Sequence, residues 1–152
     1  MFNRLIKAEF LDNLIVHALF QSGEVMEYDF HTIMERYPVF NRLKEDESLF
    51  KNGQVRFGGI IFDDELDIAE EELYYNGKLI EVKEIDDIRI KVGNMISKAR
   101  EEAKMTQTEL ARKVKIHQSD LSDIERGISN PSVKTLDRIA KGLGLKLELF
   151  LK

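Results

Sequence analysis

Residues 104–127, KMTQTELARKVKIHQSDLSDIERG, read as two short helices joined by a tight corner. Thr106 can cap the first helix, and Glu109, three residues on, can reach back to the Thr106 N–H to complete a capping box. The helix therefore begins at Gln107. Leu110, Ala111 and Val114 recur at three- and four-residue spacing and define its buried face, leaving Thr108, Arg112 and Lys113 outside. Ala111 is small enough for another helix to cross closely over it. Lys115 and Ile116 make the corner, and the second helix starts at about Gln118. In it Leu121 and Ile124 face inward, Gln118, Ser119, Ser122 and Asp123 face outward, and Gly127 supplies the left-handed residue that ends it.

The wider stretch TQTELARKVKIHQSDLSDIERGISNPSVKTLDRIAKGLGL resembles the helix-turn-helix of the Cro and phage-repressor (XRE) family over roughly residues 90–145. The TQ, the ELA, the small and aliphatic core positions, the E-R-G and the following N-P carry the likeness. It implies a repressor that reads double-stranded DNA as a homodimer. By that resemblance Gln107, beside the capping Thr106, would bond a phosphate at a helix start, where unpaired N–H groups favour an anion. Gln118, Ser119 and Asp123 would face base edges in the major groove, with Ser122 near the backbone or groove wall. Gln118 can pair bidentately with adenine, Ser119 can serve either base pair, and Asp123 can accept from a cytosine amino group while repelling phosphates. His117 stands where a Ser or Thr cap is usual, and is read as a weak cap or a phosphate contact. Arg126 is expected to be exposed and within reach of a phosphate. The family pattern further implies a largely buried, structural ion pair between Arg100 and Glu125.

At 152 residues and 43% hydrophobic, the chain suffices for one ordinary domain or two small ones. Its net charge of −5 is unevenly divided. Residues 1–88 carry 9 Lys/Arg against 20 Asp/Glu, whereas residues 89–152 carry 14 against 8. Phosphate neutralisation needs local positive charge, so the second half is the expected nucleic-acid face and the acidic half is expected to point away, toward a basic protein partner. No apolar run is long enough to span a bilayer, and the start MFNRLIKAEF has neither the apolar core nor the cleavage site of a signal peptide, so a cytoplasmic protein is expected. With no cysteine and three scattered histidines, neither a metal site nor a cofactor is expected.

In the first half, LIKAEF, NLIVHALF and VMEYDF read as three strands of a meander, turned at Asp12–Asn13 and at Gly23. From Thr32 the spacing of Ile33, Met34, Tyr37, Phe40, Leu43, Leu49 and Phe50 predicts two short helices interrupted at Pro38, with KEDES as a solvated face or loop. VRFGGIIFDDELDI returns to strand, and Gly58–Gly59 suggests a bulge or a close backbone approach. Asp63, Asp64, Glu65 and Asp67 lack calcium-loop spacing and read as a solvated turn. His17 and His31 lack a nucleophile or an acid partner, so no enzyme is expected. Residues 2–77, ending in VRFGGIIFDDELDIAEEELYY, resemble a small uncharacterised bacterial domain often associated with toxin–antitoxin gene pairs, which implies a fold and a setting only.

Asn76–Gly77 is a turn signal, and Leu79–Ile85 reads as a short strand or linker. Ile88, Val92, Ile96 and Ala99 predict the inward face of a helix, with Gly93 where packing is close; Val133, Leu136, Ile139, Ala140 and Leu143 predict another, stopped by Gly144. The closing LKLELFLK alternates like a strand that must pair with Leu79–Ile85 or with a partner subunit. The expected architecture is an α+β domain, a small antiparallel sheet with helices, over residues 1–80, then an all-α helix-turn-helix domain with a terminal strand over residues 81–152. The expected function is a DNA-binding regulator, sharpened to an autoregulating antitoxin whose acidic domain binds a toxin. The competing expectation is a ligand-responsive regulator in which Tyr28, Phe30, Tyr37, Phe40 and Phe57 line a small-molecule pocket.

Overall fold

A computed structural model describes residues 3–152. Met1 and Phe2, which open the MFNRLIKAEF start, lie outside the described residues. The chain divides into two compact units, the first ending at Glu84 and the second running Ile85–Lys152.

In the first unit β1 (Leu5–Phe10), β2 (Ile15–Phe20) and β3 (Glu24–Asp29) form the antiparallel meander that their alternating pattern implies. A short 3-10 turn at Asp12–Leu14 joins β1 to β2, with Asn13 and Leu14 both at φ 58°, and Gly23 at φ 92° turns β2 into β3. Along β2 the odd-and-even alternation buries Val16, Ala18 and Phe20. Helix α1 (His31–Arg36) stops before Pro38, which opens a 3-10 turn over Pro38–Asn41 leading into α2 (Arg42–Glu45). The acidic run then supplies the cap of α3 (Glu47–Lys51), since the Asp46 carboxylate accepts from the Leu49 N–H at 3.1 Å.

β4 (Gln54–Arg56), β5 (Gly59–Asp63) and β6 (Leu66–Ala69) make a second antiparallel sheet. Phe57 and Gly58 are the tip of the β4–β5 hairpin, at φ 48° and 85°, so no bulge forms there. The close backbone approach is at Gly59, where a Cβ would lie 2.0 Å from the Ile68 carbonyl oxygen. Helix α4 (Glu70–Asn76) follows, and β7 (Lys78–Val82) adds to β3, giving the sheet order β1-β2-β3-β7. Residues 81–84, read from sequence with the second half, thus belong to the first unit.

Most aromatics of this unit are core. Phe30 packs edge-on against Phe50 and Phe62 with ring centroids 5.5 Å apart in each case, and Tyr28 and Phe40 are buried beside it. Tyr37 and Phe57 are exposed. The expected aromatic pocket is therefore not formed: three of its five residues fill the interior, and the other two sit apart on turns facing solvent.

The second unit is helical: α5 (Ile88–Glu102), α6 (Gln107–Val114), α7 (Gln118–Arg126) and α8 (Val133–Gly142). Leu110, Ala111, Val114, Leu121, Ile124 and Ile139 form its core. Gly142 lets α8 close on α6, since a Cβ there would meet Val114 Cγ1 at 2.2 Å. Helix α5 is rotated from its expected phase. Ile90, Gly93, Ser97 and Arg100 are buried, Val92, Ile96 and Ala99 are half-buried, and Ile88 is 70% exposed. The reason is the close crossing at Gly93, where a Cβ would lie 2.5 Å from the Ile124 carbonyl oxygen and 2.6 Å from that of Glu125. On α8, Val133 is exposed, so the inward face is Ile139 with Leu143 packed against it.

Residues 145–152 form no strand in the single chain. The strand read at Leu79–Ile85 is β7, which pairs with β3. Among the described residues no helix is long and apolar enough to cross a membrane.

Candidate nucleic-acid interface

The corner between α6 and α7 is built by local chemistry. The Thr106 hydroxyl accepts from the Glu109 N–H at 3.1 Å, and the Glu109 carboxylate accepts from the Thr106 N–H at 2.7 Å. This is the capping box read from the sequence; these bonds hold the Glu109 carboxyl below its usual range. Lys115 ends α6 in the left-handed region at φ 57°, and the Ile116 N–H returns to the Ala111 carbonyl at 3.0 Å. Helix α7 starts after His117, whose side chain makes no capping bond, and ends at Gly127, φ 74°. His117 is exposed and free of the cap role offered for it.

Beneath α7 the Arg100 guanidinium meets Glu125 bidentately, Nε to Oε1 at 2.7 Å and Nη2 to Oε2 at 3.0 Å. Arg100 also donates from Nη1 to the Met105 carbonyl at 2.8 Å, tying α5 to the chain just before α6. Glu125 is 0% exposed, so the pair is buried and its geometry is the fork-to-carboxylate match that such burial requires. The Glu125 bond holds the Arg100 guanidinium above its ordinary range.

Gln107 extends this pair toward the surface. Its Nε2 donates to Glu125 Oε2 at 2.9 Å, and its Oε1 accepts from Gln118 Nε2 at 2.9 Å. Sequence reasoning placed Gln107 and Gln118 separately on a phosphate and a base. The structure joins them. The one available signal was that each opens its helix, so that a tight corner brings the two first turns side by side.

Gln118, Ser119 and Asp123 are exposed on one side of α7, and Ser122 is half-exposed beside them. Arg126 departs from expectation: it is 5% exposed, not at the surface. Helix α5 crosses the last turn of α7 closely, at Gly93 and again where Gly127 abuts Ile90. No group of three His, Cys, Asp or Glu among the described residues is placed to hold a metal ion.

A capped helix, a left-handed corner and a second helix showing short polar side chains outward define the helix-turn-helix class. The helix-turn-helix family model matches residues 96–150, and the chain belongs to that family. The control protein C.MunI of Mycoplasma sp is 37% identical over 68 residues, covering 43% of this chain and 92% of that protein. The immunity repressor protein of Bacillus phage phi105 is 45% identical over 56 residues, covering 37% of this chain and 39% of that protein. The chain thus spans about two-fifths of that repressor's length. Among solved structures, the restriction-modification controller protein C.Esp1396I, a tetramer in complex with its natural 35 base-pair operator, is similar at 38% identity, covering 41% of this chain and 82% of that chain with a TM-score of 0.38.

Proposed function

We propose that this chain is a sequence-specific DNA-binding regulator of transcription, a repressor working in the cytoplasm, with α7 entering the major groove. One observation carries the reading: Gln118, exposed at the start of α7, is held by Gln107, which is held in turn by the buried Arg100–Glu125 pair. A base-reading side chain must be positioned before it meets DNA, and an amide fixed at one N–H keeps its oxygen and its second N–H for adenine. Ser119 and Asp123 would read neighbouring base pairs, Ser122 would line the groove wall, and Gln107 would offer its remaining N–H to a phosphate beside Thr106 and His117. Two copies would address half-sites about 34 Å apart, one turn of the duplex.

The named relatives, a phage immunity repressor and a control protein, support the regulatory part of this reading. The acidic balance of residues 1–88 supports a finer one: the first unit binds a basic protein, and in the sharpest version the chain is an antitoxin that represses its own promoter. Mixing with a candidate toxin and finding no complex at micromolar concentration removes that version.

The test is a salt titration by fluorescence anisotropy on duplexes selected from a random pool, and on the upstream DNA, each against a scrambled control. Wild type should prefer the selected site and Gln118→Ala should lose that preference while retaining the salt-dependent background. Equal binding to all duplexes would overturn the proposal.

A further inference from the structure

The apolar stripe of α5 is only half-covered within the second unit. Val92, Ile96 and Ala99 of α5 and Leu136 and Ala140 of α8 line an apolar groove of about 300 Å³, whose rim is completed by Leu147 and its odd-numbered neighbours in the tail. The tail alternates like a strand but forms none in the single chain. Leu145 N–H donates to the Ala140 carbonyl at 2.9 Å, but from there residues 145–152 join no ladder. Leu145 and Leu149 remain largely exposed. Lys146 and Glu148 alternate with these leucines, also border the groove and are exposed, with Nζ and Oε1 3.0 Å apart. A segment whose leucines alternate with Lys146, Glu148 and Phe150, and whose backbone joins no ladder, has the pattern of half a sheet.

We infer that residues 145–149 pair antiparallel with the same residues of a second copy about a two-fold axis at Leu147, and that the leucine face of this ribbon closes the α5–α8 groove of both copies. It rests on the two-copy reading above and names the surface that joins them. The charges choose the register. An axis between two residues would oppose leucines to charged side chains, so the axis must pass through a residue. At Glu148 it sets carboxylate against carboxylate. At Lys146 it sets ammonium against ammonium, and at Leu149 it opposes Lys146 to Lys152. Only at Leu147 does Lys146 of each copy face Glu148 of the other, with Leu145 opposite Leu149 on the buried side.

The chain has no cysteine, so a single introduced thiol reports one position. Full-length Leu147→Cys should oxidise to a covalent dimer, because the axis brings that position against itself, whereas Leu145→Cys, which faces Leu149, should cross-link several-fold more slowly. In sedimentation without DNA, Lys146→Glu and Glu148→Lys should each weaken the wild-type dimer about tenfold, and the double exchange should restore it to within about threefold. Both side chains are exposed, so the fold is not at stake. A wild-type dimer indifferent to all four changes would overturn this surface while leaving the two-copy reading. A wild type that stays monomeric at every concentration, alone and on DNA, would overturn both. Loss of DNA preference with cross-linking intact would overturn DNA reading alone.

Discussion

Gln118 and Gln107, first residues of consecutive helices, are bonded amide to amide at 2.9 Å, so the exposed start of α7 is fixed from below before any ligand arrives. Their contributions to base recognition should therefore be coupled. Gln118→Ala is expected to reduce discrimination at one base pair by about 1–3 kcal/mol. Gln107→Ala should recover much of the same loss, and the double variant should fall well short of the sum. Additive losses in a binding cycle would show that the two amides act separately.

Glu125 is closed to solvent and neutralised by Arg100, so removing its charge strands a buried cation. Glu125→Gln should cost about 3–5 kcal/mol of stability, read by denaturant unfolding, and should lower DNA affinity with it. The apolar replacement Arg100→Met with Glu125→Leu separates the two effects. It is expected to regain most of the stability, because no charge is left buried, but not the selectivity, because Gln107 loses its acceptor. An unchanged melting temperature for Glu125→Gln would contradict the burial.

Arg126 is 5% exposed, against the exposed phosphate contact read from the sequence. Arg126→Ala should lower stability by about 1–3 kcal/mol while leaving the slope of log affinity against log salt unchanged. A slope reduced by about one unit would restore Arg126 as a phosphate contact.

Asp87 caps α5, accepting from the Arg89 N–H at 2.8 Å and from the Arg89 guanidinium at 2.6 Å. The guanidinium first and the N–H second lower its carboxyl from the ordinary 3.8 to about 2. A carboxyl depressed on folding stabilises fully above its unfolded value and ceases to do so as pH falls through the folded one. The melting-temperature advantage of wild type over Asp87→Asn should therefore be constant above about pH 5 and vanish toward pH 2. An advantage that persists unchanged in acid would disprove the role of the charge.

The helix-turn-helix was legible because its signals are local: a capping box spans three residues, and Gly127 marks its own φ. The meander was legible for the same reason, through its period of two. What escaped depends on partners distant in sequence. The buried face of α5 carries Ser97 and Arg100 because Glu125 waits 25 residues on, so a reading that equated apolar with inward caught only the half-buried edge of that face. Helix α4 carries Leu73 as its buried apolar side chain, and its three leading acids were the only hint of a helix start. The fate of the aromatics could not be read either, since Tyr28 and Phe57 differ in environment and not in pattern.

The chain of bonds from Arg100 to Gln118 also has a direction. A carboxylate only accepts, so Gln107 must turn its nitrogen to Glu125 and its oxygen away; Gln118 must then answer with nitrogen. A buried negative charge thereby dictates which end of an exposed amide looks outward, and the unbonded oxygen of Gln118 is presented in one orientation and not its mirror. Replace that charge with an amide, and both glutamines regain a choice of two settings, offering DNA an edge whose donors and acceptors can exchange places.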